Sequence, residues 1–201
     1  MSEIGFISPP EASEEAQRLF AGDVAVVGYV MNLSKLWAHL PSVHDGLSDL
    51  IRETASAHGL TVRQRGILIA AFASTYGDSY CSLAWGKKLS EVSDQQTAAG
   101  VLRGADEGLT SSEAALAAWA RKVARDPNQT TQADVQALRE GGYSDAEIFG
   151  ITVFVALRMA FSTVNDALGA RPDAVLGSTV PASVLEAVTY GRPVEDQTAA
   201  S

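Results

Sequence analysis

An all-α fold is predicted by three features of the sequence. Ser or Thr stands three residues before Glu at the head of two apolar segments, forming capping boxes. Apolar residues then recur at three- and four-residue spacing. No two-residue turn signal flanked by alternating strands occurs anywhere along the 201 residues. The elements follow in order. Pro41 opens a helix carrying Val43, Leu47, Leu50 and Ile51, closing near Gly59. Thr61 starts another with Ile67, Leu68, Ala71 and Phe72, ending at Gly77. Asp78 is placed as the N-cap of the next. Ser93-Asp-Gln-Gln96 begins a shorter helix that ends at Gly104. Thr110-Ser-Ser-Glu113 caps a helix whose Leu116, Trp119, Ala120 and Val123 share one face. Thr131 or Thr130 caps one that stops at Gly141-Gly142. Ser144-Asp-Ala-Glu147 opens a helix over Ile148 to Leu168, apolar on nearly every side in its first half and so expected to be central and buried. Val184 to Thr189 reads as a last short helix, and Glu195 to Ser201 as a loose tail.

Composition bounds the function classes. A chain of this length holds one well-buried core, and 46% apolar with 19% charged residues is ordinary for a globular protein. The formal charge of −9, with no Lys/Arg run longer than the pairs at Arg63/Arg65 and Lys87/Lys88, argues against nucleic acid or an anionic membrane as partner. The longest apolar stretch, Ile148 to Phe161, is short for a bilayer span and contains Arg158. The acidic, proline-bearing N-terminus lacks the basic start and apolar run of a signal peptide. One cysteine excludes a disulfide within the chain. A cytoplasmic protein is expected.

That cysteine, Cys81, lies in Gly77-Asp-Ser-Tyr-Cys-Ser-Leu-Ala-Trp85. With Asp78 as N-cap, Cys81 falls in the first helical turn, where the helix dipole favours a thiolate and the neighbouring carboxylate opposes it. Asp78, Cys81 and Trp85 share one face by three- and four-residue spacing, and Lys88 continues it. One reading is a pocket with an acid, a thiol and an aromatic wall. The plain packing reading makes Asp78 a cap, Cys81 a small core hydrophobe and Trp85 filler.

The segment resembles the alkylhydroperoxidase D and carboxymuconolactone decarboxylase superfamily, whose redox branch carries Leu-x-x-x-x-Arg-Glu, an apolar helix, then Cys-x-Tyr-Cys-x-x-x-His. Leu60-Thr-Val-Arg-Gln-Arg-Gly66 stands for the first part and Asp78-Ser-Tyr-Cys-Ser-Leu-Ala-Trp85 for the second. Gly28 to Asn32 and Leu36 to Pro41 look like the lead-in helices. Ala118 to Asp126, Thr131 to Gly142, Ser144 to Glu147, Ala167 to Gly169 and Gly191 to Pro193 look like the peroxidase-related branch. The resemblance spans roughly residues 15–195. It implies a single-domain alkylhydroperoxidase D-like helical bundle over 15–170, with an N-terminal extension (1–14) and a C-terminal extension and tail (171–201), and a homo-oligomer.

The departures are as informative. The family's glutamate falls on Gly66, its first cysteine on Asp78 and its histidine on Trp85, leaving Cys81 and Tyr80. Dithiol peroxidase chemistry needs a resolving thiol and a base, and neither is in its place. Three functions are therefore expected, in this order. The first is a small-molecule enzyme doing acid–base or nucleophilic chemistry with Cys81, Asp78 and Tyr80. The second is a one-cysteine peroxidase, and the third a non-catalytic oligomeric binding protein. Trp85, Gly66, His39, His44 and Arg158 are the candidate substrate-binding residues. Gly66 offers either close packing or room for a ligand, and Arg158 either binds an anionic ligand or pairs with an acid from another helix or subunit, the pairing being preferred. His39 and His44 complete no metal-ligand spacing, so neither metal nor cofactor is expected.

Overall fold

The computed structural model describes residues 5–8, 10–11 and 13–196, and among them eleven α-helices and one 3₁₀ turn but no strand. The order is α1 (Glu14–Val27), α2 (Asn32–Trp37), α3 (Pro41–Ala57), α4 (Val62–Tyr76), α5 (Ser79–Val92), α6 (Gln95–Leu102) and α7 (Ser111–Arg125). A 3₁₀ turn (Pro127–Gln129), α8 (Gln132–Glu140), α9 (Asp145–Ala167), α10 (Ala174–Thr179) and α11 (Ala182–Ala187) follow. The caps fall where their side chains dictate. Thr61, Thr110, Thr131 and Ser144 each accept the N–H of the third helical residue, whose own side chain reaches back. The helix expected from Ser93 begins one residue later, because Asp94 supplies the capping oxygen to Gln96 and Thr97.

The central helix is α4, not α9. Every residue from Ile67 to Ala73 is fully buried, because Ala70, Ala71 and Ala73 let neighbours come close and α5, α6, α7 and α9 close in on all sides. α9 packs with Ile148, Ile151, Phe154, Val155 and Phe161, yet leaves Phe149 71% exposed. It is one 23-residue helix, long and apolar enough by length and composition to cross a bilayer, but in this fold it packs against α3, α4, α7 and α8. An apolar sequence on several sides does not say which neighbours cover each side, and here one side is left open.

The α4–α5 turn positions the site. Gly77 takes φ +88, a left-handed conformation that glycine adopts without strain, and both its N–H and that of Asp78 return to the Ala73 carbonyl at 2.9 Å. Asp78 can then cap α5 immediately. Three further differences from the sequence reading arise at the ends of the chain. Gly28 to Asn32, read as lead-in helix, is the α1–α2 junction, with Gly28 capping α1. Neither α1, which Ser13 caps and whose first turn holds Glu14 and Glu15, nor α10, which has no side-chain cap, was expected. Glu195 is not loose: its N–H donates to the Pro172 carbonyl and its carboxylate accepts from Asn32, both at 2.8 Å. The rest of that expected tail, 197–201, lies outside the described residues, as do residues 1–4, 9 and 12 of the N-terminal stretch.

Candidate active site around Cys81

Asp78 accepts the Cys81 N–H at 2.8 Å, which sets Cys81 at the third position of α5 with its side chain turned toward α9. There the thiol sulfur accepts from the Arg158 guanidinium at 3.4 Å and from the Ser162 hydroxyl at 3.5 Å, two side chains one helical turn apart. Burial pushes the thiol well above its ordinary value and the Asp78 charge adds to this, while Arg158 and Ser162 pull the other way. The competition that sequence leaves open is thus decided by burial: Cys81 is protonated at neutral pH. Asp78 is itself fully buried, and its second carboxylate oxygen has no hydrogen-bond partner among the described residues. A buried carboxylate oxygen without a donor is costly, and its presence beside the thiol asks for a use.

A cleft of about 510 Å³ opens over this point. Cys81, Tyr80, Trp85, His44 and Arg158 all line it, so five of the eight sequence-chosen residues share one space. Asp78 lies behind Cys81 and not in the lining. Tyr80 walls the cleft with its ring but donates its hydroxyl away from Cys81, to Asp173. His39 is not in the lining either: its Nε2 lies 3.0 Å from the Ser8 carbonyl oxygen. Gly66 gives no room for a ligand, since an added Cβ would sit 3.1 Å from Cβ of Leu89. The close-packing alternative is the one realised there.

Among the described residues the acid expected for Arg158 does not come from another helix. Among the described residues no carboxylate pairs with it, and its buried Nε has no acceptor. Its guanidinium lies instead over two rings, 5.5 Å from the centre of Trp85 and 5.3 Å from that of Phe161. Lys88 stands 4.6 Å from the Trp85 centre, and Phe161 stacks on Trp37 at 5.3 Å. Burial lowers the Lys88 ammonium, and repulsion from Arg158 and Arg65 lowers it further. Sequence reasoning missed Ser162 and Phe161. The signal was present, for both fall within one turn of Arg158 on the same apolar helix.

The first turn of α5 is stitched to distant chain. Ser79 donates to the Arg192 carbonyl at 2.7 Å and accepts the Arg192 N–H at 3.0 Å. Tyr190 donates to Ser82 at 3.0 Å. Next to this stitch Asp166 is pushed up to about 7, by burial first and the Asp78 charge second, with Arg192 opposing. Above about pH 4 the unfolded chain releases this proton while the fold retains it until about pH 7, so the fold loses stability across that window. Asp166→Asn is expected to match the wild type near pH 4. Near pH 8 it should be more stable by about 1–2 kcal/mol, allowing for partial exposure. Urea denaturation at the two pH values measures the difference.

No protein-family model matches the sequence, and no curated protein matches it. Solved structures do. An alkylhydroperoxidase AhpD core, an uncharacterized peroxidase-related protein from Ralstonia eutropha, is similar at a TM-score of 0.72 with 22% identity, over 88% of this chain and 96% of that one. An uncharacterized peroxidase-related protein from a Silicibacter species follows at a TM-score of 0.70, 22% identity, 83% of this chain and 91% of that one. The debrominase Bmp8 is similar at 0.66 and 14% identity over 90% and 95%, in a cysteine-to-alanine variant in complex with 2,3,4-tribromopyrrole. These likenesses show the fold: an alkylhydroperoxidase D-like helical fold.

Proposed function

We propose that this protein is a non-redox enzyme acting on a small organic molecule, with Cys81 as the reacting group and Asp78 as the base that takes its proton. The observation that carries this reading is the placement of one thiol at the cleft wall, between a fully buried carboxylate with a free oxygen and an unpaired guanidinium. An isolated thiolate is disfavoured here by burial. Transfer of the thiol proton to Asp78 creates no new net charge, however; it moves the negative charge from the carboxylate to the sulfur, where Arg158 and Ser162 already donate. The sulfur lone pair then adds to a carbonyl or activated double bond of the substrate, whose π pair moves onto the substrate and takes a proton from the open cleft, since Asp78 lies behind the sulfur. Reversal of the addition after the bond change in the substrate frees the thiolate, which recovers its proton from Asp78. The debrominase Bmp8, which shares the fold and in one variant holds a brominated pyrrole, supports a small organic substrate.

A peroxide-reducing role has less support. Cys81 is the only cysteine, so no second thiol of the chain can close a disulfide, and burial suppresses the free thiolate that attacks peroxide. A reducing, cytoplasmic setting and association of like subunits belong to the same proposal.

Alkylation of Cys81 by iodoacetamide, followed by mass spectrometry across pH, tests the base assignment. Internal proton transfer leaves the proton count unchanged, so the wild-type rate is expected to vary only severalfold from about pH 6 to about pH 8, in one step as Asp166, coupled to Asp78, ionises near pH 7. In Asp78→Asn the proton must leave to solvent, and the rate should climb about tenfold per pH unit. A wild-type rate that climbs in parallel with that of Asp78→Asn would sink the assignment. For any substrate identified, normal turnover by both Asp78→Asn and Cys81→Ser ends the reading altogether.

A further inference from the structure

We infer that the ligand of the cleft is an aromatic anion, a one- or two-ring body bearing a carboxylate or phenolate that pairs with Arg158 and is approached by Lys88. This builds on the preceding reading by naming the substrate class, and takes from it only that the cleft is the ligand site.

Three observations converge. The first is charge. The chain carries 24 Asp and Glu against 15 Lys and Arg, yet the lining of this cleft holds Arg52, Lys88 and Arg158 and no carboxylate. Arg52 is already matched by Asp49 at 2.6 Å on the exposed side. Arg158 and Lys88 are in none of the ion pairs formed among the described residues. An acidic protein that keeps its acids out of one cleft and leaves two cations there unneutralised has built a field that attracts a small anion.

The second is the state of Arg158. Among the described residues its one hydrogen-bond partner is a sulfur, a weak acceptor, and its Nε has none. A partly buried guanidinium presents a planar fork of donors, and a carboxylate completes it with two parallel bonds. The cost of the incomplete arrangement is recovered when the anion arrives. The same anion offsets the repulsion between Arg158 and Lys88. It also sets the ligand's adjoining carbon beside the Cys81 sulfur, since the guanidinium touches both.

The third is shape and wall chemistry. Beyond the cations the walls are Met31, Leu33 and Ile51 on one side and Trp85 and Phe161 on the other. A volume of about 510 Å³ lies in the range of small-molecule sites and accommodates two fused rings. The Trp85 and Phe161 faces carry the Arg158 and Lys88 heads, so an aromatic body packs against the ring edges and over the planar guanidinium, where a globular aliphatic one of equal size loses contact.

Calorimetric titration of the Cys81→Ser protein, in which no covalent chemistry intervenes, separates this inference from the catalytic one. The probes are naphthoate, its neutral amide naphthamide, and adamantane carboxylate. Naphthoate is expected to bind about tenfold or more tightly than either of the others, with affinity falling as salt is raised. Lys88→Gln, at the rim where misfolding is not a concern, should weaken naphthoate severalfold and leave naphthamide unchanged. Arg158→Gln should abolish the preference for the acid over the amide. Equal affinity for acid and amide, a preference for the adamantane acid, or no saturable naphthoate binding at millimolar concentration each overturns the inference. Those outcomes leave the alkylation profile of the wild type untouched, and a failed alkylation profile leaves this titration untouched.

Discussion

Gly66→Glu is expected to destabilise the protein by about 3–5 kcal/mol, enough to unfold much of it at ordinary temperature. This substitution introduces the glutamate that the redox branch carries at the position Gly66 takes in the sequence resemblance. The argument is steric first. A Cβ at Gly66 would meet Leu89 Cβ at 3.1 Å, Leu89 Cδ1 at 3.2 Å and the Leu89 Cα at 3.5 Å. The first two atoms belong to a fully buried side chain, but the third is backbone, so α5 itself must back away from α4. The remaining atoms of glutamate then end in a buried site as a carboxyl with no donor supplied. Gly66→Ala separates the two costs: its single methyl is tight, but alanine recovers about 1 kcal/mol of helix propensity, and stability near that of the wild type is expected. Chemical denaturation of both variants decides. A Gly66→Glu protein as stable as the wild type would mean that the α4–α5 contact yields far more easily than its packing indicates.

Asp173→Ala is expected to cost about 2–4 kcal/mol. Asp173 is 5% exposed and accepts two bonds, from the Asn32 N–H at 2.7 Å and from the Tyr80 hydroxyl, which is also buried. Alanine leaves both donors dry and unsatisfied, where Asp173→Asn keeps an acceptor and should cost markedly less. Thermal unfolding of the pair measures the difference. Because the Tyr80 ring walls the cleft, Asp173→Ala should also speed iodoacetamide alkylation of Cys81 beyond what Asp173→Asn does. A stable Asp173→Ala protein with unchanged alkylation would show that Tyr80 is held by ring packing alone.

These residues also mark how far the sequence could be read. Caps are local: Thr61 with Gln64, Thr110 with Glu113, Ser144 with Glu147 and Asp78 with Cys81 each act within three residues, and each stands where its spacing puts it. Periodicity likewise placed Cys81 and Trp85 on one face. What spacing cannot carry is the identity of a neighbour. Within the chain Arg158 meets a sulfur and two rings where an acid from another helix was one of the partners expected. The Tyr80 side chain was grouped with the thiol beside it in sequence, yet its hydroxyl answers to a carboxylate 93 positions away. α9 was read as central because its sequence is apolar, whereas the role belongs to α4, whose small residues let neighbours approach from every side. The resemblance to the superfamily supplied the frame that local signals lack. It could not say that Gly66 is closed by Leu89.

The stitching of α5 bears on how the protein is made. Ser79, Tyr80 and Ser82 bond to partners 113, 93 and 108 positions further along the chain. On the ribosome, α4 and α5 emerge and can pair long before Asp173, Tyr190 and Arg192 are synthesised. During that interval the first turn of α5 lacks its outer supports, and the thiol is less enclosed than in the finished fold. Burial is what holds Cys81 protonated, and that burial against α9 is secured only when residues 173–192 fasten the first turn of α5. A nascent chain stalled before residue 173 would carry the complete motif with a thiol more readily ionised and alkylated than in the finished fold.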